Sequence, residues 1–376
     1  MNKRVRVTVS LLLALIFLVL TACSSGGSNS NPGNGNENTA SEANDSPFAN
    51  APVFNIDMQC FNMGTQMERT LRPTIELIRA STEGTVNITL YDSGVLFPTT
   101  DVLNVLSTGD LASAFMIEGT FSGAIPVTKI ASGTPYAFPD LHESFVFMFE
   151  RGFREILVDA YAEFNVYPIP FDTQETGLLT RDPVYKLDDL KGMKLRASGT
   201  FNDWLAAVGA SPAMISGPEL YTAMSQGVVT GGAWGASGTM YEMRMHETTS
   251  YYMWPNPGSG QWNSIMFNID VWNNFTPAQR LAIEYSIGRA RHTAQELVAV
   301  GNARALEIFQ KDFGITVIEL PEEELVKARE ASVPIYDALA AQDARSAEVV
   351  AKLRAFWAER EEEANIYTSV REILEW

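Results

Sequence analysis

The alternation of apolar and polar residues changes period several times between residues 188 and 234. Met193–Arg196 alternates residue by residue, so Met193 and Leu195 would share one face of a short strand. Beyond that strand the apolar residues recur three or four positions apart, which predicts a helix with an apolar face made of Phe201, Trp204, Leu205 and Val208. The segment therefore begins with a strand followed by a helix.

The rest of this segment continues in short elements. Gly209–Pro212 would close the helix, and three further elements are predicted, a strand, a helix and a Gly-rich strand and loop: Met214–Ser216, Pro218–Met224 and Val228–Trp234. One cation, Arg196, stands at the end of the first strand, just before a predicted helix start at 197–200. A guanidinium binds a carboxylate through two parallel hydrogen bonds, and a helix start adds free N–H groups. The alternative for Arg196 is a surface salt bridge.

A long helix is predicted after residue 276. Thr276 can cap it, Pro277 suits its first turn, and Gln279 is placed to complete a capping box. Its apolar period continues towards Phe309 through Leu281, Ile283, Ile287, Ala290 and Ala294. A helix of this length needs packing along much of its course. The same pattern also fits a core helix of any α/β protein.

The N-terminus has the pattern of a bacterial lipoprotein. Three basic residues precede the almost wholly apolar run Val7–Leu20, and Leu20–Cys23 fits a lipobox. The run is too short to favour a spanning helix. We predict a signal peptide over 1–22, lipidation of Cys23, and a flexible tether over 23–52, which is rich in Ser, Gly and Asn. The alternative is an ordinary cleaved signal peptide with an incidental cysteine.

These features place the protein in the cell envelope, in the periplasm or on the outer cell surface, with the lipid at Cys23 as its only membrane contact. Removal of the three basic residues of the signal peptide changes the formal charge from −18 to −21. So acidic a chain is a poor candidate for binding nucleic acid. Cys60 would then be the single remaining cysteine, buried in the first strand, so no intramolecular disulfide is predicted.

Sequence signatures of catalysis are absent. The three histidines lack metal-ligand spacing, and the chain has no G-x-S-x-G elbow, P-loop or cysteine cluster. We therefore predict a protein that is not an enzyme and has no catalytic residue and no cofactor. A glycosidase-like pair among the 45 acidic residues stays open as an alternative.

The order of segments resembles the substrate-binding proteins of TRAP (tripartite ATP-independent periplasmic) transporters, the DctP-type family. The resemblance rests on Leu190–Arg196, Gly209–Pro212, Glu219–Tyr221 and Gln226–Val229, and it extends to Ile78–Gly94, Leu103–Gly109 and Asn273–Arg280. It implies an α/β, two-lobed periplasmic-binding-protein-like fold (Venus flytrap) with a long helix packed across both lobes. The implied lobes are 53–172 plus 260–300 (lobe I) and 173–259 plus 301–376 (lobe II).

The resemblance also implies a ligand site. Arg196 matches the family's carboxylate-binding arginine, and Gln174 and Thr176 lie where some relatives carry a second arginine. Aromatic contacts and one first-lobe contact are implied for Trp234, Trp254, Trp262, Tyr252 and Glu118. Core packing is the alternative for Trp254, Trp262 and Tyr252, and a hydroxyl or water would have to separate Glu118 from a carboxylate ligand.

Two departures from the family pattern bear on metal binding. Ala233 stands where relatives that bind 2-oxo acids with a metal ion carry an acidic residue before the tryptophan, and Thr230 replaces the usual aspartate. We therefore predict no bound metal ion.

The function implied is capture of a small organic carboxylate, a 2-oxo or hydroxy monocarboxylate, and its delivery to TRAP membrane subunits. Three alternatives remain: a sensing lipoprotein that docks on a signalling receptor, a binder of a sugar acid or dicarboxylate, and a lipid-anchored enzyme on the same fold.

Overall fold

The structure is a computed structural model that describes residues 46–61, 64–215 and 217–374. Ser46–Trp376 forms one compact unit. The predicted signal peptide and Cys23 lie outside the described residues. None of the helices within the described part of the chain has the length and apolar character that crossing a membrane requires.

The described chain is a mixture of strands and helices in alternation. The strands are β1 (Phe54–Cys60), β2 (Val86–Tyr91), β3 (Ser113–Ile117), β4 (Val166–Thr180), β5 (Lys194–Arg196), β6 (Ser211–Ala213), β7 (Gly231–Gly235), β8 (Tyr251–Asn268) and β9 (Thr316–Glu319). The helices are α1 (Thr65–Ser81), α2 (Val102–Thr108), α3 (Leu141–Glu150), α4 (Phe153–Ala162), α5 (Thr200–Ala207), α6 (Gly217–Ser225), α7 (Ser237–Glu242), α8 (Ile269–Asn274), α9 (Pro277–Asp312), α10 (Glu322–Glu330), α11 (Val333–Ala340) and α12 (Ala344–Leu374).

The strands form one mixed sheet. Its order is β2-β1-β3-β8-β4-β7-β5-β6, and β9 also pairs with β8. The long strands β4 and β8 are antiparallel and stay paired from Val166↔Asn268 to Thr180↔Tyr251, with irregularities between Pro170 and Leu178. Parallel strands flank them on both sides: β1 pairs with β2 and β3, and β5 pairs with β6 and β7. The sheet therefore has two parallel ends joined by one antiparallel pair.

Four hydrophobic cores divide between these two ends. We call the end built on β1–β3 the first lobe and the end built on β5–β7 the second lobe. Two cores contain residues of β1, β3 and helices α1 to α4, and the other two contain residues of β5, β7 and helices α5 to α7. The predicted lobe boundaries stay a prediction. Residues 301–376 were assigned to lobe II, but Val349, Leu353 and Phe356 of helix α12 lie in a core of the first lobe.

Helix α9 confirms the capping box read from the sequence. The backbone N–H of Gln279 donates to Thr276 Oγ1 at 3.2 Å, and the N–H of Thr276 donates to Gln279 Oε1 at 2.9 Å. Ile283 and Ile287 pack into a first-lobe core, whereas Phe309 packs into a second-lobe core. One helix of 36 residues therefore contacts both lobes. Leu281, expected on the apolar face, is 69% exposed.

The predictions for residues 188–234 are partly confirmed. Helix α5 buries Phe201, Trp204, Leu205 and Val208 as expected. The strand expected at 214–216 was misplaced: the paired residues are Ser211–Ala213, which lie beside β5. The predicted Gly-rich loop is strand β7. Gly231 permits this, because a Cβ there would lie 2.3 Å from the carbonyl oxygen of Leu179 on β4.

Two further expectations concern β1 and β8. Cys60 is a free, fully buried thiol on β1, as predicted, and burial raises its pKa to about 12. Trp262, implied as a ligand contact, lies on β8 within Gly258–Asn263, a segment that continues the pairing with β4.

Replacing Thr276 by alanine removes the side-chain oxygen that caps α9, so we expect the free energy of unfolding to fall by about 1 kcal/mol. Thr276→Ser keeps the hydroxyl and should cost much less. Urea denaturation of the purified variants, followed by circular dichroism, measures both changes. Equal losses in the two variants would show that the threonine methyl group, rather than the cap, stabilises this helix start.

Candidate ligand-binding site

Arg196 is held at the end of β5 between two neighbouring strands. It pairs in register with Ala213 on β6 and with Gly232 on β7. Its Nε donates to the carbonyl oxygen of Ile215 at 3.1 Å, and its Nη1 donates to that of Ala233 at 2.8 Å. These two bonds fix the plane of the guanidinium.

Trp234 covers one face of this guanidinium. The Arg196 Cζ lies 4.1 Å from the centre of the Trp234 ring, a cation-π geometry. A glycine at position 232 makes the close approach possible, because a Cβ there would lie 2.8 Å from the Cβ of Arg196. The Gly-rich sequence before Trp234 therefore serves to seat the arginine.

The charge of Arg196 has no counter-ion in the described part of the chain. The side chain is buried, at 8% exposure, and no acidic side chain of the described residues pairs with it. Burial lowers the pKa of Arg196 to about 10, so the group remains a cation at neutral pH. A buried cation without an anion is costly, and an anionic ligand would remove that cost.

A cavity of about 280 Å³ opens beside Arg196. Among the described residues, its wall contains aromatic, small and uncharged polar side chains from both lobes, together with the charged Arg196 and Glu242. The lining residues are Phe61, Gly64, Ile117, Ser132, Gly133, Gln174, Thr176, Arg196, Ser198, Phe201, Ala233, Trp234, Gly235, Thr239, Glu242 and Gln261. Half of these lining residues have polar side chains. A concave space of this size suits a small molecule.

The floor of the cavity comes from the paired strands β4 and β8. Gln174 stands opposite Gln261, and both line the cavity. Two residues further along, the fully buried Asp172 stands opposite Asn263 and accepts a hydrogen bond from its Nδ2 at 2.7 Å. Burial raises the pKa of Asp172 to about 6, and hydrogen bonds from Asn263 and Gln174 oppose that rise. A buried polar layer thus supports the glutamine pair.

The structure brings four of the eight predicted ligand contacts to the cavity wall: Arg196, Gln174, Thr176 and Trp234. The other four lie elsewhere. Trp254 pairs with Glu319 on β9 and is 36% exposed, whereas Tyr252 is fully buried and its hydroxyl donates to Asn256. Trp262 lies in a first-lobe core against Phe145. Ligand contact by any of the eight stays a prediction.

Glu118 lies behind the wall rather than on it. Its Oε2 accepts a hydrogen bond from the hydroxyl of Tyr161 at 2.5 Å, and its Oε1 accepts one from Ser264. Desolvation raises the pKa of this fully buried carboxyl to about 7, although both hydrogen bonds act in the opposite direction. The neighbouring Gly119 packs against Ser132, a lining residue, so Glu118 holds the segment that supports the wall.

Several lining residues were missed from the sequence. Gln261 could have been found from strand register, since it faces Gln174 across β4 and β8. Thr239 and Glu242 lie three residues apart on α7, directly after β7, so they share a helix face near Trp234. Ser132 and Phe61 come from distant parts of the chain, and no local pattern marks them.

Metal binding was predicted to be absent, and this stays a prediction. Within the ranges that the structure describes, no group of three or more His, Cys, Asp or Glu side chains could hold an ion. Ala233 offers its carbonyl oxygen, which already accepts a hydrogen bond from Arg196.

Comparison with known proteins decides the family. The model of the DctP family, bacterial extracellular solute-binding protein family 7, matches residues 63–343. This chain belongs to the DctP family. The membership predicted from the sequence is confirmed, and with it the class of extracytoplasmic solute-binding protein.

Two relatives of the DctP-family chain have names that specify ligands. The monocarboxylate 2-oxoacid-binding periplasmic protein of Nostoc sp. is 21% identical over 282 residues, which cover 73% of this chain and 76% of the relative. The C4-dicarboxylate-binding periplasmic protein DctP of Rhodobacter capsulatus is 25% identical over 292 residues, covering 76% and 85%.

Solved structures confirm the two-lobed α/β fold for this member of the family. A TRAP periplasmic solute-binding protein from Colwellia psychrerythraea, with bound calcium and pyruvate, superposes with a TM-score of 0.74 at 18% identity and covers 86% of this chain and 99% of its own. One from Pseudoalteromonas atlantica, with bound sodium and pyruvate, gives 0.73 at 16% identity with the same coverage. At these identities the likeness establishes the fold alone.

Burial of Glu118 predicts a pH dependence of stability. The unfolded chain releases this proton near pH 4.5, whereas the native protein retains it until about pH 7. The native state is therefore disfavoured progressively as pH rises through that window. Glu118→Gln removes this titration, so its stability relative to wild type should increase between pH 4.5 and 8 by on the order of 3 kcal/mol.

Urea denaturation at a series of pH values measures the difference between the two curves. Glu330→Gln, on the exposed surface of α10, removes a carboxyl that is not buried and should give a curve parallel to wild type. Parallel curves for Glu118→Gln as well would show that the buried carboxyl titrates normally.

Proposed function

We propose that this DctP-family protein captures a small organic carboxylate between its two lobes and delivers it to the membrane subunits of a TRAP transporter. One observation carries the proposal: Arg196, buried and without an acidic partner among the described residues, borders a cavity of about 280 Å³. A ligand carboxylate would supply the missing counter-ion.

The donors of Arg196 are arranged for such a ligand. Backbone carbonyl oxygens accept from Nε and Nη1, and the Trp234 ring covers one face of the group. The Nη2 donors are left for a carboxylate. Because the side chain is already fixed in one plane, ligand binding would cost little of its rotamer entropy.

The cavity composition favours a 2-oxo or hydroxy monocarboxylate. Arg196 is the only lysine or arginine among the lining residues that the structure describes, so a second carboxylate would have no such cation opposite it. The uncharged Gln174, Thr176 and Gln261 can hydrogen-bond to an oxo or hydroxyl group, and Trp234 gives apolar contact. The name of the Nostoc relative supports this choice, whereas that of the Rhodobacter relative supports a dicarboxylate. A sugar acid is a further alternative.

Lobe closure would provide the affinity. The wall contains Phe61 and Ser132 from the first lobe and Arg196 and Trp234 from the second, so a ligand held by the arginine gains the remaining contacts when the lobes approach. Closure also removes water, which strengthens the pair between guanidinium and carboxylate. The membrane subunits could recognise the closed form because it differs from the empty form.

The same proposal covers the remaining predictions. The protein would act as a receptor without catalysis and without a cofactor, consistent with its solute-binding family. A lipid on Cys23 would retain it in the periplasm or at the outer cell surface. A ligand sensor docking on a signalling receptor is the second candidate function, and capture by purified TRAP membrane subunits in the presence of ligand would argue against it.

A thermal-shift screen of the purified protein against 2-oxo acids, hydroxy acids, sugar acids and dicarboxylates tests the central claim. A ligand at one hundred times its Kd stabilises the native state by about 2.7 kcal/mol, which is readily detected. We expect a 2-oxo or hydroxy monocarboxylate to give the largest shift. If no carboxylate raises the melting temperature, the proposal is wrong.

Arg196→Ala should weaken the best ligand by about 100-fold or more, because it removes the cation and its fork of donors. Arg196→Lys keeps the charge without the fork and should give an intermediate loss. Arg289→Ala, on the exposed surface of α9, is the matched control for loss of one positive charge. Calorimetric titration measures all three, and full affinity in Arg196→Ala would contradict the assignment.

A further inference from the structure

Two charged side chains of opposite sign line the cavity. Arg196 is the cation, at the end of β5, and Glu242 is the anion, at the end of α7. The other lining residues within the described part of the chain are uncharged. Thr239, one turn before Glu242 on the same helix, also lines the cavity, so this face of α7 is directed at the ligand space.

Glu242 has no partner that explains its position. Among the residues that the structure describes, no side chain forms a hydrogen bond or an ion pair with it; Arg69 acts on it only through its charge. The walls around it raise its pKa by desolvation, and the charge of Arg69 opposes the rise. The side chain remains accessible to solvent, so a ligand can reach it.

The position of Glu242 is also distinct from that of Arg196. Glu242 also lines a second cavity of about 340 Å³, together with Arg69 on α1 and residues of α9. Arg196 lines the first cavity and not the second. Glu242 therefore lines both spaces, whereas Arg196 is held at the end of β5. A ligand whose carboxylate contacts Arg196 can reach Glu242 with its other end within the same cavity.

We propose that Glu242 selects the ligand by its far end, and that the ligand carries a hydroxyl or ammonium donor there in addition to the carboxylate bound by Arg196. This inference rests on the proposed function. It narrows the small organic carboxylates of that proposal to acids that carry a hydroxyl or amino group remote from the carboxylate, in place of simple 2-oxo acids. The ligand would then match both charged residues of the cavity.

Glu242 disfavours the two other kinds of far end. A second carboxylate would face Glu242, and the described wall of the first cavity has no lysine or arginine between them. The nearby Arg69 lines the second cavity instead, so the two like charges would repel when the cleft closes. A bare methyl group would leave Glu242 without a hydrogen-bond donor when the lobes close and water is removed, which costs free energy. A hydroxyl or an ammonium group avoids both costs.

A matched series of acids tests the inference. Butanoate, 4-hydroxybutanoate, 4-aminobutanoate and succinate share one chain length and one carboxylate and differ at the far carbon alone. The corresponding acids with three and five carbons vary the reach. Calorimetric titration of the purified protein, in buffer with EDTA to remove metal ions, gives the Kd for each, and the wild type should bind the best hydroxy or amino acid at least about tenfold more tightly than the diacid of equal length.

Glu242→Gln keeps the size of the side chain and removes its charge. We expect it to reduce the affinity ratio of amino acid to diacid by about tenfold or more, since a charged hydrogen bond is lost for one ligand and a repulsion is lost for the other. Glu330→Gln, on the exposed surface of α10, makes the same change of net charge and should leave the ratio unaltered.

The outcomes separate this inference from the proposed function. If carboxylates bind and depend on Arg196, but Glu242→Gln leaves the ratio unchanged, or the wild type binds only acids without a far donor, the inference is wrong and the function stands. If selectivity at Glu242 appears only when Ca²⁺ or Na⁺ is added back, Glu242 holds an ion instead and the inference is also wrong. If no carboxylate binds to the wild type, both are wrong.

Discussion

The antiparallel pairing of β4 and β8 is the constraint on which the rest of the structure depends. These two strands connect the parallel ends of the sheet, and each end carries its own hydrophobic cores. Their register also sets Gln174 against Gln261 and the buried Asp172 against Asn263. The same pairing therefore joins the lobes and builds the cavity floor, so a change of register would disturb both.

The seat of Arg196 shows how backbone geometry prepares a charge. The guanidinium is bound by the carbonyl oxygens of Ile215 and Ala233 and covered by Trp234. The contacts with Ala233 and Trp234 require β7 to lie close to β5. Gly232 permits that approach, because any side chain there would meet the Cβ of Arg196. A residue larger than glycine would move the arginine without touching its charge. Binding capacity thus depends on a residue that offers no chemistry of its own.

Features that depend on neighbouring residues were predicted from the sequence. Features that depend on strand register or on burial were missed. The capping box at Thr276 and the apolar face of α5 are local, and the structure has both. Ligand contact and core packing were both open for Trp262, because an apolar wall and an apolar core favour the same side chain, and the structure places it in a core. Gln261 reaches the cavity through strand pairing, and Glu242 reaches it at the end of a short helix. Periodicity in a single sequence reveals neither position.

An acidic protein can bind an anion because its net charge and the charge of a single side chain in the cleft act over different distances. The formal charge of −18 is spread over the whole chain, and salt solution screens exposed charges beyond about 8–10 Å. The field on a ligand in the cleft is set by the two nearest charges, the buried Arg196 and the exposed Glu242, rather than by the net charge. Closure of the lobes would strengthen both local effects together. Selectivity then follows from the separation of one buried cation from one unpartnered carboxylate, and the acidic exterior is free to serve solubility.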